Sequence, residues 1–263
     1  MRLRTRAVLL LLVAGGLFPT TASAFIDCCI LHEIPTELRG VWLGQPAADV
    51  SEWLMGLGLS DHVIRPGESS GLSSTAFTWV PGALDASLGF ASGGLRPVLT
   101  SSVLDCGPPF LKPPPLPPVT PVHARDLTRA IAVVADLAAE TRRLREHRVG
   151  DMLLLSGAPG DVFAIPELEA IAVDLPLARG TIRLIQPVGS TGVVARALAE
   201  HGAHWWGFAV EVADAGLALR HLHSSGIAAL ERTEGSDRIL TVLPSTPSMP
   251  AVELVHRWGA ARP

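Results

Sequence analysis

The sequence predicts an α+β fold of paired βαβββ modules. Three observations predict it. A strand-helix-strand-strand-strand order reads twice between residues 123 and 258. Hydrophobic residues make up 48% of the chain and charged residues 17%, a composition that folds around a core. A proline-rich stretch separates this half from an N-terminal segment in which the same order reads more faintly.

Taken in order, Arg2, Arg4 and Arg6 precede a short apolar run over residues 7–18, and Ala22-Ser23-Ala24 follows as a small-residue cleavage pattern. This predicts a signal peptide over residues 1–24, a mature chain from Phe25, and export to the periplasm or the extracellular space. The apolar run is too short for a comfortable membrane span, so no stable span is expected in the mature chain. An uncleaved anchor stays open as the alternative. Cys28, Cys29 and Cys106 would meet an oxidising compartment, which permits a disulfide between Cys106 and either of the other two. Adjacent cysteines resist bridging each other, and a zinc site built from the three is not expected.

Residues 25–107 read as an N-terminal α+β segment. Residues 40–43 form a short strand. A helix over 49–57 carries Val50, Trp53, Leu54 and Leu57 at spacings of three and four. Residues 76–80 and 84–90 are strands split by Pro81-Gly82, and 97–104 is a further strand. A degenerate third module over residues 37–105 is held as an alternative. Residues 108–122 then form a Pro-rich linker, with a polyproline conformation that excludes helix and central strand. Binding to a proline-reading partner is the other use of such a run.

The second half reads more clearly. Residues 130–134 form a strand, and Asp136 caps a helix that reaches His147 with Leu137 and Leu144 turned inward. Strands follow at 162–165, 171–175 and 181–185, the last closed by Gln186-Pro187. A helix over 192–201 leads to a strand at 206–212. Asp214 caps a helix to Ser224, and Gly226 ends it. Strands at 239–243 and 251–255 follow, one short of the three that the repeated order requires. Two such units bury their apolar sheet faces by pairing, which leaves a cleft between them.

Several classes of function are excluded. Net charge is -4 and no basic run follows the first six residues, so no nucleic-acid footprint is present. The chain has no Tyr. There is no glycine-rich phosphate loop. Ser156, Asp161 and His147 form an unsupported nucleophile set. Glu167 and Glu169, after Pro166, read as a solvated turn.

The ordered motifs resemble a known family. Ile131-Ala132-Val133-Val134-Ala135-Asp136-Leu137 resembles the opening strand and helix start of a module of the vicinal-oxygen-chelate superfamily, which includes glyoxalase, bleomycin-resistance proteins, methylmalonyl-CoA epimerase and extradiol dioxygenase. Thr181-Ile182-Arg183-Leu184-Ile185-Gln186-Pro187 resembles its closing strand. Gly207-Phe208-Ala209-Val210-Glu211-Val212-Ala213-Asp214 and Ala251-Val252-Glu253-Leu254-Val255 resemble the same two strands of the second module. The resemblance covers residues 123–258 and implies a glyoxalase-like fold. It also implies a divalent metal held by four inward residues, acting as a Lewis acid on two neighbouring substrate oxygens.

By this resemblance the four ligand positions fall on Arg129, Arg183, Gly207 and Glu253. Only Glu253 keeps a donor type that metals take; a guanidinium has no lone pair to give. The expectation is therefore no metal and no cofactor, with a divalent ion as the alternative. His204 is a weak candidate ligand and is expected in a solvent-exposed loop. His62 mimics the first-strand motif but lacks a following helix. His221 and His223 are expected on a helix surface or in satisfied polar roles.

If Arg129, Arg183 and Glu253 share a cleft, two readings stand side by side. One is an internal ion network in which Glu253 neutralises one arginine. The other is an anion clamp, with Trp206 stacking at the cleft mouth. The expected function is binding of a small anionic or aromatic molecule without a catalytic metal. A metal-dependent lyase, isomerase, epimerase or dioxygenase is the alternative, so whether the chain is an enzyme stays open. A structural or partner-binding role is the second alternative, and a homodimer is also open.

Overall fold

The computed structural model of the chain describes residues 36–43, 47–59, 88–90, 95–101, 121–149, 152–245 and 249–257. The export signal, the three cysteines, His62, the strand expected at 76–80 and the proline run up to Pro118 lie outside these residues.

The N-terminal segment contributes strand β1 (Thr36–Leu43), helix α1 (Ala47–Gly56) and strand β2 (Leu95–Ser101), with β1 and β2 paired antiparallel. Of the strand expected at 84–90 only residues 88–90 are described, and there Leu88 and Gly89 form a turn with positive φ, of 45° and 79°.

The first full module opens with β3 (Ala124–Val133), continues through α2 (Leu137–Glu146) and the two-residue strands β4 (Arg148–Val149) and β5 (Met152–Leu153), and closes with β6 (Phe163–Ile165), β7 (Ala170–Pro176) and β8 (Thr181–Pro187). Helix α3 (Val193–His201) connects it to the second module. That module consists of β9 (His204–Val212), α4 (Ala215–Ser224), β10 (Leu230–Glu234), β11 (Asp237–Val242) and β12 (Ala251–Arg257).

The eight strands form one sheet in the order β10-β11-β12-β9-β3-β8-β7-β6. In each module the opening strand pairs parallel with the closing strand: β3 with β8, and β9 with β12. The two opening strands pair antiparallel at the centre. The modules are thus related by a local two-fold relation of topology, as a repeated βαβββ unit requires when both copies must bury one face.

Strand alternation divides the core. Ala130, Ala132, Leu184, Phe208, Val210, Val252 and Leu254 turn to the face covered by α2 and α4. Leu54, Leu57 and Phe90 of the N-terminal segment join the same cluster, and Phe90 meets Trp205 edge-on at 5.1 Å between centroids. Ile131, Val133, Ile185, Trp206 and Ala251 turn to the opposite, inner face, where Val194 of α3 packs on them.

Helix starts follow side-chain chemistry. Asp136 accepts from the Ala139 N–H at 2.9 Å, and Asp214 accepts from the Leu217 N–H at 3.0 Å. Both satisfy a first-turn donor that the helix itself leaves unpaired. Replacing Asp136 with alanine is expected to lower unfolding free energy by about 1 kcal/mol in urea titration. An unchanged midpoint would refute the cap's contribution.

Candidate functional site

The inner face carries a charge cluster at its centre. The pairing explains why. On β3 and β8, Ile131 lies level with Arg183; on β9 and β12, Ala209 lies level with Glu253. Arg129 and Gly207 stand two residues before Ile131 and Ala209, on the same strand faces. The four positions singled out by the resemblance are therefore equivalent in pairs under the relation between modules.

Arg129, Arg183 and Glu253 come together. Arg129 Nη1 donates to Glu253 Oε2 at 2.7 Å, and Arg183 Nη1 lies 3.8 Å from the same oxygen. Three further residues complete the cluster. Asp174 of β7 takes both Nε and Nη2 of Arg183, at 2.7 and 2.8 Å. Glu234 of β10 takes Nη1 and Nη2 of Arg183, at 2.7 and 2.8 Å. Arg232, also on β10, donates to Glu253 Oε1 at 2.6 Å, to Glu234 and to Thr241 Oγ1.

Three guanidiniums thus face three carboxylates, and the formal charges cancel. Such close bidentate pairing offsets much of the cost of burying ions. Glu253 is fully buried, Arg183 and Arg232 are nearly so, and Asp174 and Glu234 keep 32% and 20% of their side-chain surface in contact with solvent. The carboxylates of Asp174 and Glu234 therefore form the exposed rim, with the guanidiniums behind them. The Phe163 ring lies 4.8 Å from the Arg183 guanidinium carbon and adds a cation–π contact.

Burial alone would raise the pKa of Glu253, but Arg129, Arg232 and Arg183 together outweigh it and bring the pKa down to about 2. Burial likewise works against the charge on Arg183, and its bonds to Asp174 and Glu234 and the field of Glu253 hold it protonated. One polar atom is left over: Arg129 Nε is buried and has no hydrogen-bond partner among the described residues.

The residues do not fit the metal that the resemblance implies. Arg129 and Arg183 place cations where ligands would stand, and every oxygen of Glu253 is already bonded to an arginine. Gly207 cannot supply a donor. A Cβ there would lie 2.4 Å from the carbonyl oxygen of Ala251, because β9 and β12 approach closely at that point. Among the described residues no three His, Cys, Asp or Glu side chains are grouped so as to hold a metal.

His204 departs from its expected place. It is not in an exposed loop but buried at the start of β9, two residues earlier than the strand was expected to begin. Its Nδ1 lies 2.8 Å from the Gly202 carbonyl oxygen and its ring stands edge-on to His201. Burial, the larger influence, lowers its pKa against the opposing Gly202 bond. Trp206 is also buried, within the inner-face cluster under α3 rather than standing at a mouth, and is the extra residue of a bulge where Ile131 pairs with Gly207 and Ala132 with Trp205. His221 is half-buried and its Nε2 lies 3.1 Å from the Gly56 carbonyl oxygen. Ser156 donates to the Pro176 carbonyl instead of to a histidine.

Asp174, Arg232 and Glu234 were not expected from the sequence. A signal for the last two existed. Leu230, Arg232 and Glu234 alternate on one strand face, and Gly235-Ser236 forms a two-residue hairpin loop in which Gly235 has φ of 59°.

No protein-family model matches the chain, and no curated protein matches it. Solved structures do match about half of it. Methylmalonyl-CoA epimerase from Mycobacterium tuberculosis is 20% identical with a TM-score of 0.44, over 51% of this chain and 89% of that one. A Streptomyces coelicolor methylmalonyl-CoA epimerase in complex with 2-nitronate-propionyl-CoA is 17% identical with a TM-score of 0.43, over 52% and 97%. A hypothetical protein from Bacillus halodurans is 13% identical with a TM-score of 0.42, over 52% and 98%. From β3 to β12 the fold of this chain is the glyoxalase-like pairing of βαβββ modules that the resemblance to the vicinal-oxygen-chelate superfamily implies.

Proposed function

We propose that the chain is an exported binding protein that holds a small anionic or aromatic molecule at the inner-face cluster without a metal. The observation that supports this reading is the unpartnered, buried Nε of Arg129 beside the Arg183 guanidinium, at two of the positions where a metal's ligands would stand. A buried donor without an acceptor is rare and is relieved when a ligand oxygen reaches it. A ligand carboxylate gains access by taking over the pairing that the partly exposed Asp174 makes with Arg183. Phe163 offers an aromatic face beside that exchange.

Benzoate titration into the wild-type protein and an Asp174→Asn variant tests the exchange. Removing the competing carboxylate is expected to tighten benzoate binding about tenfold. A purely structural network predicts lower stability of the variant and no binding by either protein, which would overturn the proposal. A metal-dependent lyase, isomerase or dioxygenase is the competing reading. Elemental analysis and thermal melting with zinc, cobalt, nickel and manganese salts are expected to give no stoichiometric ion and no rise in Tm. A ligand bound only by the native state raises stability, so a clear rise would favour the enzyme.

A further inference from the structure

A cavity lies away from the charge cluster, on the helix-covered side of the sheet. It has a volume of about 860 Å³ and runs between α2 and the strands β7 and β8. Its floor is apolar: Leu137 and Val173 are buried, Ile171 is half-buried, and Val162 leaves 60% of its surface open.

The walls are charged and unequal. Arg142 and Arg145 of α2 and Arg148 just beyond it line the cavity, against the carboxylates of Asp136 and Glu146. Asp136 is committed to capping α2 through the Ala139 N–H. Arg142 and Arg145 are exposed and make no ion pair within 4 Å among the described residues, unlike Arg143, which binds Glu140 at 2.6 Å. An apolar floor under a rim with spare positive charge is complementary to a molecule with an apolar body and one acidic head. The volume suits a ligand of ordinary small-molecule size, for which sites span roughly 300–1,000 Å³.

We propose that this cavity binds a free fatty carboxylate, with the chain on Leu137, Val162, Ile171 and Val173 and the head group against Arg142 and Arg145. The site is separate from the inner-face cluster, so it stands or falls independently of the function proposed above. The same head and tail chemistry is offered by an anionic bilayer. We commit to the soluble acid because the apolar residues line a cavity rather than a protruding surface.

Isothermal titration with sodium dodecanoate, below its micelle concentration, tests the proposal on the full chain. One equivalent is expected to bind, and dodecanol is expected to bind at least tenfold more weakly. Arg142→Glu combined with Arg145→Glu is expected to weaken dodecanoate at least tenfold, and Val162→Asp to weaken it similarly. All three positions are exposed, and circular dichroism melts verify that the variants remain folded. Equal binding of acid and alcohol, no effect of the variants, or binding to phosphatidylglycerol vesicles without binding of soluble dodecanoate would each overturn it.

Discussion

Replacing Glu253 with glutamine is expected to lower unfolding free energy by about 3–5 kcal/mol, the cost of breaking a buried ion pair from one side. The substitution preserves shape and removes one charge. Arg129, Arg183 and Arg232 would then share two carboxylates, Asp174 and Glu234, instead of three. An amide also offers donors where both Glu253 oxygens now accept, so one side of the amide would face guanidinium N–H groups. Replacement by alanine would add a cavity and confuse the reading.

The same carboxylate makes the network sensitive to acid. Its folded pKa is near 2, against an ordinary value of 4.5, so the folded state prefers it ionised. The stability it contributes is fully present above pH 4.5 and is lost as pH falls from there toward 2. The shift corresponds to about 3 kcal/mol at one pKa unit per 1.36 kcal/mol. Urea titrations of wild type between pH 6 and pH 3 are therefore expected to show a steeper loss than those of the Glu253→Gln variant. Parallel curves for the two proteins, or a variant within about 1 kcal/mol of wild type at pH 7, would show that the ion network does not hold this sheet together.

The sequence disclosed the frame of this site better than its contents. The module order was legible because strands at its heart, such as 131–134, are runs of apolar residues that little but a buried strand explains, and 251–255 departs from such a run only at Glu253. The first half of β3 was not. Ala124-Arg125-Asp126-Leu127-Thr128-Arg129 reads as a loop because it is rich in charge, yet Thr128 and Arg129 are buried in the central strand pair. The network compensates their burial, and that compensation comes from strands distant in sequence. Arg129 and Arg183 were reachable through the family's ligand positions. Asp174 and Arg232 were not, since they stand at no ligand position and become partners only when β7 and β10 curl over the same face. His204 was misplaced for a related reason: β9 starts two residues early, and a glycine-bounded histidine before two tryptophans looks like a turn until the strand is seen to include it.

Gly207 carries the other large effect. Adding a single methyl group there, Gly207→Ala, is expected to cost about 3 kcal/mol or more, well above a usual surface substitution. The reason is backbone rather than side chain. The new Cβ would sit 2.4 Å from the Ala251 carbonyl oxygen and 3.0 Å from its carbon, and neither can rotate away. To relieve the contact, β9 and β12 must separate at the pair Gly207–Ala251, which heads their parallel ladder. That ladder joins Glu253 to the rest of the cluster, so the strain and the ion network share one element. The position is also the one at which a donor side chain would be needed to rebuild the metal site. A chain carrying histidine at 207 must pay the same collision before any metal could repay it. Denaturation of Gly207→Ala and Gly207→His, each with and without zinc, measures both parts of the argument. Near-wild-type stability of the alanine variant would refute the close approach. A zinc-stabilised histidine variant would show that the strands can part and that a metal site lies one substitution away.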